Sequence, residues 1–311
     1  MATHFDLDRS RTAHQQDGAA WRLDAAAFHA ARRFADLSFG RIAYVERGEG
    51  PAALFFHGYP LNGFQWRGAL ERLSAHRRCI APDLMGLGYS EVAGTQDLAP
   101  GTQAAMACAL LDALGEAAAD IVGNDSGGTI AQLFAAHYPE RTRSLLLTNC
   151  EVHENAPPAE FLPVIKAAGL GVLADRFLRR ALEDKAYARS TASLGGFYTD
   201  PSNLTDECIE FYMRPLVSSP QRVAQFHAYT TAFLPNPLTA IEPELRRLAA
   251  PARMVWATHA PGFGVDWAHW LDRVLPGSRG VRLVEGANLF FPEEMPDLLA
   301  EEALALWAKT S

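Results

Sequence analysis

From Phe39 onward, short apolar runs end in turn residues and alternate with longer stretches of helical spacing. The runs Arg41–Glu46, Ala52–Phe56, Cys79–Ala81, Asp120–Val122, Ser144–Thr148, Arg253–Thr258 and Val281–Val284 read as strands. Gly68–His76, Gln103–Leu114, Thr129–Tyr138 and Asp266–Val274 read as the helices between them. Several strands are apolar at every position, the pattern of a parallel sheet covered on both faces. Alternation of this kind predicts an α/β fold with a doubly wound, mostly parallel sheet.

Two regions break that rhythm. The stretch from Met1 to about Gly18 is polar and reads as a loose arm, followed by a helical pattern carrying Trp21, Leu23, Phe28 and Phe34 among alanines. Between Glu151 and about Pro251 no buried strand is visible. Helix-like pieces there are punctuated by Pro157-Pro158, Gly195-Gly196, Pro201, Pro215, Pro220, Pro235 and Pro237. This predicts a helical lid inserted after the sixth strand, over the C-terminal edge of the sheet, where it would shape a pocket and exclude water. The expected division is an N-terminal arm and helix over residues 1–38, one core built from 39–150 and 252–311, and a lid over 151–251.

Composition narrows the function classes. A chain of 311 residues, 49% of them hydrophobic, can bury one large core. A net charge of −8 without a basic run argues against a general affinity for nucleic acid or anionic membrane. The cysteines Cys79, Cys108, Cys150 and Cys208 show no metal-finger spacing, and Cys79 and Cys150 sit in apolar runs as small buried hydrophobes. With no signal pattern and no membrane-length apolar run, a cytoplasmic protein is expected. No metal or cofactor site is expected either.

One turn carries the chemistry. Asp120-Ile-Val-Gly-Asn-Asp-Ser-Gly-Gly-Thr129 runs from an apolar strand into a helix, with small residues flanking one polar residue. That is the sequence of a nucleophile elbow, whose glycines allow a strained backbone and close neighbours. The frame Gly123-Asn124-Asp125-Ser126-Gly127 centres Asp125; centring Ser126 would put Asn124 where a small residue belongs. A Rossmann-like glycine turn is disfavoured because Gly-x-Gly-x-x-Gly is absent.

Two further segments fit the elbow: His57-Gly58-Tyr59-Pro60 after the strand Ala52–Phe56, and Pro82-Asp83-Leu84-Met85-Gly86-Leu87-Gly88-Tyr89-Ser90 after the next strand. Together the three segments resemble the α/β-hydrolase superfamily, in particular its aspartate-nucleophile branch of haloalkane dehalogenases and epoxide hydrolases. The resemblance runs from about Phe39 to Trp307. It implies that Asp125 attacks a carbon bearing halide or epoxide oxygen, and that backbone N–H groups of Tyr59 and Ser126 form the oxyanion hole. It also implies a histidine base oriented by a second carboxylate, and a structural role for His57.

The rest of that constellation departs from the family pattern. The base should follow the last strand in a Gly-x-x-His stretch, but Glu285-Gly286-Ala287-Asn288-Leu289-Phe290-Phe291-Pro292 puts Leu289 there. The acid after the preceding strand is replaced by Ala260. The alternative acid position, after the strand ending at Thr148, holds Asn149, with Glu151 two residues beyond as a solvated loop carboxylate that can still reach the pocket. His259 and His153 are the loop histidines that could stand in as a displaced base, although such residues are ordinarily surface or capping groups. Tyr187, Tyr198, Tyr212 and Tyr229 are available as lid acids; Tyr212, Leu289 and Phe290 are the expected pocket residues. His227 and Tyr229 are read as one face of a lid helix packing into its core.

Ester clearance needs activated water, and a placed base contributes roughly 10²–10⁴-fold. Leu289 cannot supply it. The first reading is therefore a non-hydrolytic enzyme using Asp125 as acid or base on a small apolar organic metabolite, in a cyclisation, isomerisation, epimerisation or elimination. The alternatives are a dehalogenase- or epoxide-hydrolase-type enzyme with a displaced base, and a non-catalytic ligand-binding protein of the same fold.

Overall fold

A computed structural model describes residues 24–308; the expected arm, Trp21 and Leu23 lie outside the described residues. Eight strands form one sheet in the order β1-β2-β4-β3-β5-β6-β7-β8. They are β1 Arg33–Leu37, β2 Gly40–Arg47, β3 Ala52–Phe56, β4 Arg78–Pro82, β5 Ala119–Asn124, β6 Thr142–Thr148, β7 Ala252–Ala257 and β8 Ser278–Val284. β1 with β2, and β2 with β4, pair antiparallel; every other pair is parallel. β3 and β5 are buried at every position; β3 is apolar throughout, as a strand between two helical layers requires, while β5 also carries Asp120 and Asn124.

The helix expected through Phe34 is shorter than its alanine-rich pattern suggested. It spans Ala25–Ala30, with the Asp24 carboxylate accepting from Ala27 N–H at 2.8 Å. Phe34 then belongs to β1, so the sheet begins ahead of the expected boundary at residue 39. β1 is an edge strand with no fully buried position, and for that reason it shows no apolar run. β8 at the other edge likewise reads as a strand only in its apolar second half.

The helix Ser126–His137 packs on β3, β5 and β6, while Val265–Val274 packs on β7 and β8. Between β6 and β7 the described elements are all helical, apart from an isolated bridge between Val152 and Asn155. The longest of them, Pro220–Thr231, lies over the strand ends. Tyr59 stacks on its Phe226 and Tyr229 rings, with centroids 5.5 and 6.1 Å away. Among the described residues no helix is long and apolar enough to cross a membrane.

Candidate active site

Register places the site. Phe56 pairs with Gly123 and Asn124 with Thr148, so β3, β5 and β6 end level with one another. The segments that follow (His57–Tyr59, Asp125 and Asn149–Glu151) therefore emerge at one edge of the sheet. This is the crevice where the strand order reverses and where open α/β sheets bind ligands.

Asp125 sits at φ 52° and ψ −132°, a backbone position disfavoured for an L-residue and expected at the apex of an elbow. Its own N–H donates to Asn149 O at 2.7 Å, and its carbonyl accepts from Gly128 N–H at 2.8 Å. Gly127 is required by close approach: a Cβ there would lie 2.5 Å from His57 O and nearer still to Phe56 O. Gly58 is similar, since a Cβ would come within 3.0 Å of the Asp125 carboxylate and 2.9 Å of Phe290 Cε1.

Of the two N–H groups expected to form an oxyanion hole, that of Tyr59 is bonded to Asp125 itself. Tyr59 N–H donates to Asp125 Oδ2 at 2.6 Å. One carboxylate oxygen is thereby held, which orients the other. His57 fixes the loop: Leu84 N–H donates to its Nε2 and its Nδ1 meets Gly58 O, each at 3.0 Å. That pattern requires the neutral Nδ1–H tautomer, and burial pushes the His57 pKa down in the same direction.

A chain of buried hydrogen bonds, which the sequence did not reveal, ties the walls together. Gly58 N–H donates to Gln65 Oε1 and Gln65 Nε2 to Asn124 Oδ1, each at 2.7 Å. Asn124 Nδ2 then donates to Thr148 Oγ1 and to Leu289 O, at 2.9 and 3.1 Å. Asn124 sits beside the nucleophile position inside an elbow, the one sequence signal that could have marked it as a hub.

Glu151 corrects the sequence reading. It is buried, not solvated, and lines the same cavity as Asp125. Thr129, one turn into the elbow helix, donates its hydroxyl to Glu151 Oε2 at 2.8 Å, and Gln132 Nε2 donates to Glu151 O at the same distance. Asn149, the residue in register for an acid, is instead spent on β7, where it bonds Ala257 N–H and O at 2.7 and 3.0 Å. Burial pushes both Asp125 and Glu151 above the usual carboxylate range. The Asp125 pKa is raised further by the charge of Glu151 and lowered by the N–H donors of Tyr59 and Ser126.

A pH dependence follows. Raised carboxyl pKa values mean that the folded chain binds more protons than the unfolded chain above the ordinary carboxylate range. The pair's contribution to stability is complete below that range and is lost as pH rises toward the folded values. Asp125→Asn is therefore expected to gain stability relative to wild type as pH rises from about 4 toward neutrality, by at most about 1.4 kcal/mol per pH unit. Denaturant unfolding of both proteins across that range checks it; a constant or narrowing gap contradicts it.

The other expected site residues divide. Leu289 and Phe290 line the cavity, whose volume is about 490 Å³. Tyr212 does not: it is buried behind the wall, donating to Glu293 Oε1 at 2.9 Å beside Tyr198, which donates to Oε2 at 2.7 Å. Neither histidine reaches the pair. His153 Nε2 meets Glu242 at 2.9 Å and its ring stacks on Trp270. His259 is exposed, with its backbone N–H bonded to Ala287 O. Both satisfy loops, as a histidine at a turn commonly does. His227 accepts from Ala174 N–H at 3.0 Å, and Tyr229 OH donates to Ser126 Oγ at 3.2 Å. Among the described residues no histidine lines the cavity, and no group of three or more His, Cys, Asp or Glu is placed to hold a metal ion.

A family model for the alpha/beta hydrolase fold matches residues 51–293. Haloalkane dehalogenase 2 of Mycobacterium tuberculosis (strain ATCC 25618 / H37Rv) is 35% identical over 117 residues, 38% of this chain and 41% of that protein. The chain thus spans well under two thirds of that relative's length. The 2-hydroxy-6-oxo-6-phenylhexa-2,4-dienoate hydrolase of Comamonas testosteroni is 26% identical over 255 residues, 81% of this chain and 82% of that protein. Among solved structures, the ligand-free epoxide hydrolase CorEH superposes with a TM-score of 0.75 at 23% identity, covering 90% of this chain and 99% of that one.

Proposed function

The chain belongs to the α/β-hydrolase fold family, and from that premise we propose that it is an enzyme using Asp125 and Glu151 as a proton-sharing pair for non-hydrolytic acid–base chemistry. The observation carrying this reading is that two buried carboxyl groups line one largely apolar cavity, with Leu289 in its wall and no imidazole among the described lining residues. A pair holding one proton offers a base and an acid side by side. The carboxylate takes a proton from carbon beside a carbonyl, and the carboxylic acid returns one to oxygen or to a neighbouring carbon. The sum is an isomerisation, epimerisation or cyclisation in which no water is consumed. The substrate class is a small apolar organic molecule bearing a carbonyl, consistent with a pocket of this size and lining.

The reading is tested by proton exchange. In D₂O the protein should wash deuterium into the carbon next to the carbonyl of a bound member of a panel of apolar ketones, followed by NMR. The exchange should disappear in Asp125→Asn and Glu151→Gln. Undiminished exchange in Asp125→Asn sinks the proposal.

A second reading keeps hydrolysis, with Glu151 rather than a histidine as the displaced base. It is favoured by a niche of about 10 Å³ beside both carboxyl groups, bordered by Asp125, Ser126, Glu151 and Thr230 together with Tyr59, Phe161 and Phe233, at the lower limit of the size that holds one water. Intact mass after exposure to 1-haloalkanes and terminal epoxides separates the two. The first reading expects no multiple-turnover release of halide or diol, and any ester formed on Asp125 should persist. Repeated turnover in wild type, with ester trapped only in Glu151→Gln, would establish the second.

A further inference from the structure

We propose that Arg176 anchors a carboxylate on the solvent-open side of the cavity, so that the molecule accepted is an apolar keto acid rather than a neutral ketone. The inference deepens the acid–base reading and rests on it only for the carbonyl, which Asp125 and Glu151 would address.

Arg176 borders the same cavity as that pair and is the one cation among its described lining residues. It differs from them in accessibility. Asp125 and Glu151 are 7% and 4% exposed, whereas Arg176 is an exposed residue, so the cavity meets solvent on its side. A charged group can therefore approach the guanidinium without giving up all of its water. The same group beside the two buried carboxyls would be opposed both by desolvation and by like charge.

Arg176 is also unengaged. Neighbouring arginines of the lid all have partners: Arg179 pairs with Asp175, Arg189 with Asp206 and Arg214 with Glu210, while Arg180 lies over the Tyr187 ring. The Arg176 guanidinium has neither an ion pair nor a hydrogen bond among the described residues. Glu160 borders the cavity as well, but the two side chains form no ion pair.

The backbone that carries Arg176 is unusual. It forms a turn of π-helix, Ala174–Arg179, a rare conformation that recurs at functional sites. The first N–H of this turn, that of Ala174, donates to His227 Nε2 at 3.0 Å and so ties it to the helix Pro220–Thr231. Leu173 and Phe177, which flank Arg176 in the chain, border the cavity too. The segment thus sets one permanent positive charge among apolar lining residues.

That charge selects the ligand class. A guanidinium stays protonated at any working pH, and its fork of N–H donors matches a carboxylate. One cation balances one negative charge. A phosphate dianion would leave a second charge uncompensated in a cavity that Glu160 also borders, so the carboxylate fits better.

Calorimetry with methyl-ketone fatty acids of increasing chain length, each beside its primary amide, tests the assignment. At low salt wild type should bind at least one acid about fivefold more tightly than its amide, the upper range for an exposed ion pair. That margin should shrink toward parity in about 1 M salt, where the Debye length falls to about 3 Å. Arg176→Gln should bring acid and amide to equal affinity at low salt, with Tm unchanged because an unpaired exposed side chain is lost. Lys166→Gln is the matched control: Lys166 is exposed nearby in the chain but does not border the cavity, so the preference should survive. No preference in wild type, its survival in Arg176→Gln, its equal loss in Lys166→Gln, or a Tm lowered in Arg176→Gln overturns the anchor. The two ideas fail separately: proton exchange lost in Asp125→Asn alongside no acid preference sinks only the anchor. A preference that depends on Arg176 alongside exchange indifferent to Asp125 leaves the anchor standing and sinks the acid–base reading.

Discussion

Asp125→Asn is expected to lower proton exchange and turnover by about 10²–10⁴-fold, the contribution of a placed acid or base. The substitution isolates chemistry from folding. Asparagine tolerates the positive φ of the elbow better than most residues, and its carbonyl oxygen can still accept from Tyr59 N–H. It also removes a carboxyl whose desolvation works against folding. The variant should therefore be folded, at least as stable as wild type at neutral pH, and inactive. Steady-state kinetics beside a thermal melt decide it: retained rate contradicts the assigned role, and a collapsed melt would show that Asp125 is needed for architecture instead.

The largest loss of stability is expected from Gly127→Ala, on the order of 4 kcal/mol, appearing as insoluble or partly unfolded protein. The new Cβ would overlap two carbonyl oxygens, Phe56 O and His57 O, at the end of β3. Neither can swing aside as a side chain could, because β3 is paired on both edges, with β4 and with β5. Relief would have to come from separating the elbow from the strand and would displace the loop that carries Tyr59. Gly101→Ala is the matched control. Gly101 lies in the helix Pro100–Ala113 with open space where a Cβ would stand, so a gain of about 0.5–1 kcal/mol is expected. Equal Tm values for the two variants would refute the packing explanation.

The legible parts of the chain are those in which local chemistry admits one solution. The fully apolar run of β3 and the apolar middle of β5 need cover on both faces, and the small residues around Asp125 suit only a tight strand-to-helix turn. The edge strands were harder to read. β1 faces partial cover, and its residues carry no pattern that separates it from the alanine-rich helix before it. Leu289 was placed correctly in the cavity wall because glycine, glutamates and prolines keep its loop in register. Tyr212 was misplaced, since nothing in a helix's own sequence tells which of two buried environments an aromatic side chain enters.

Residue type and spacing were enough to specify the α/β sheet, the elbow and the identity of its central carboxylate, because each leaves a local pattern of apolar runs and small residues in the chain. That a second carboxyl lines the same cavity emerged only once the strands were aligned. Glu151 looks like any loop acid in the chain, and it becomes a buried second carboxyl because β5 and β6 end level and Thr129 supplies a hydroxyl from the facing helix. The same holds for His153 and His259, which folding turned toward Trp270 and toward solvent. Burial and pairing are properties of surfaces brought together from distant parts of the chain, and they set the charge state on which the chemistry depends.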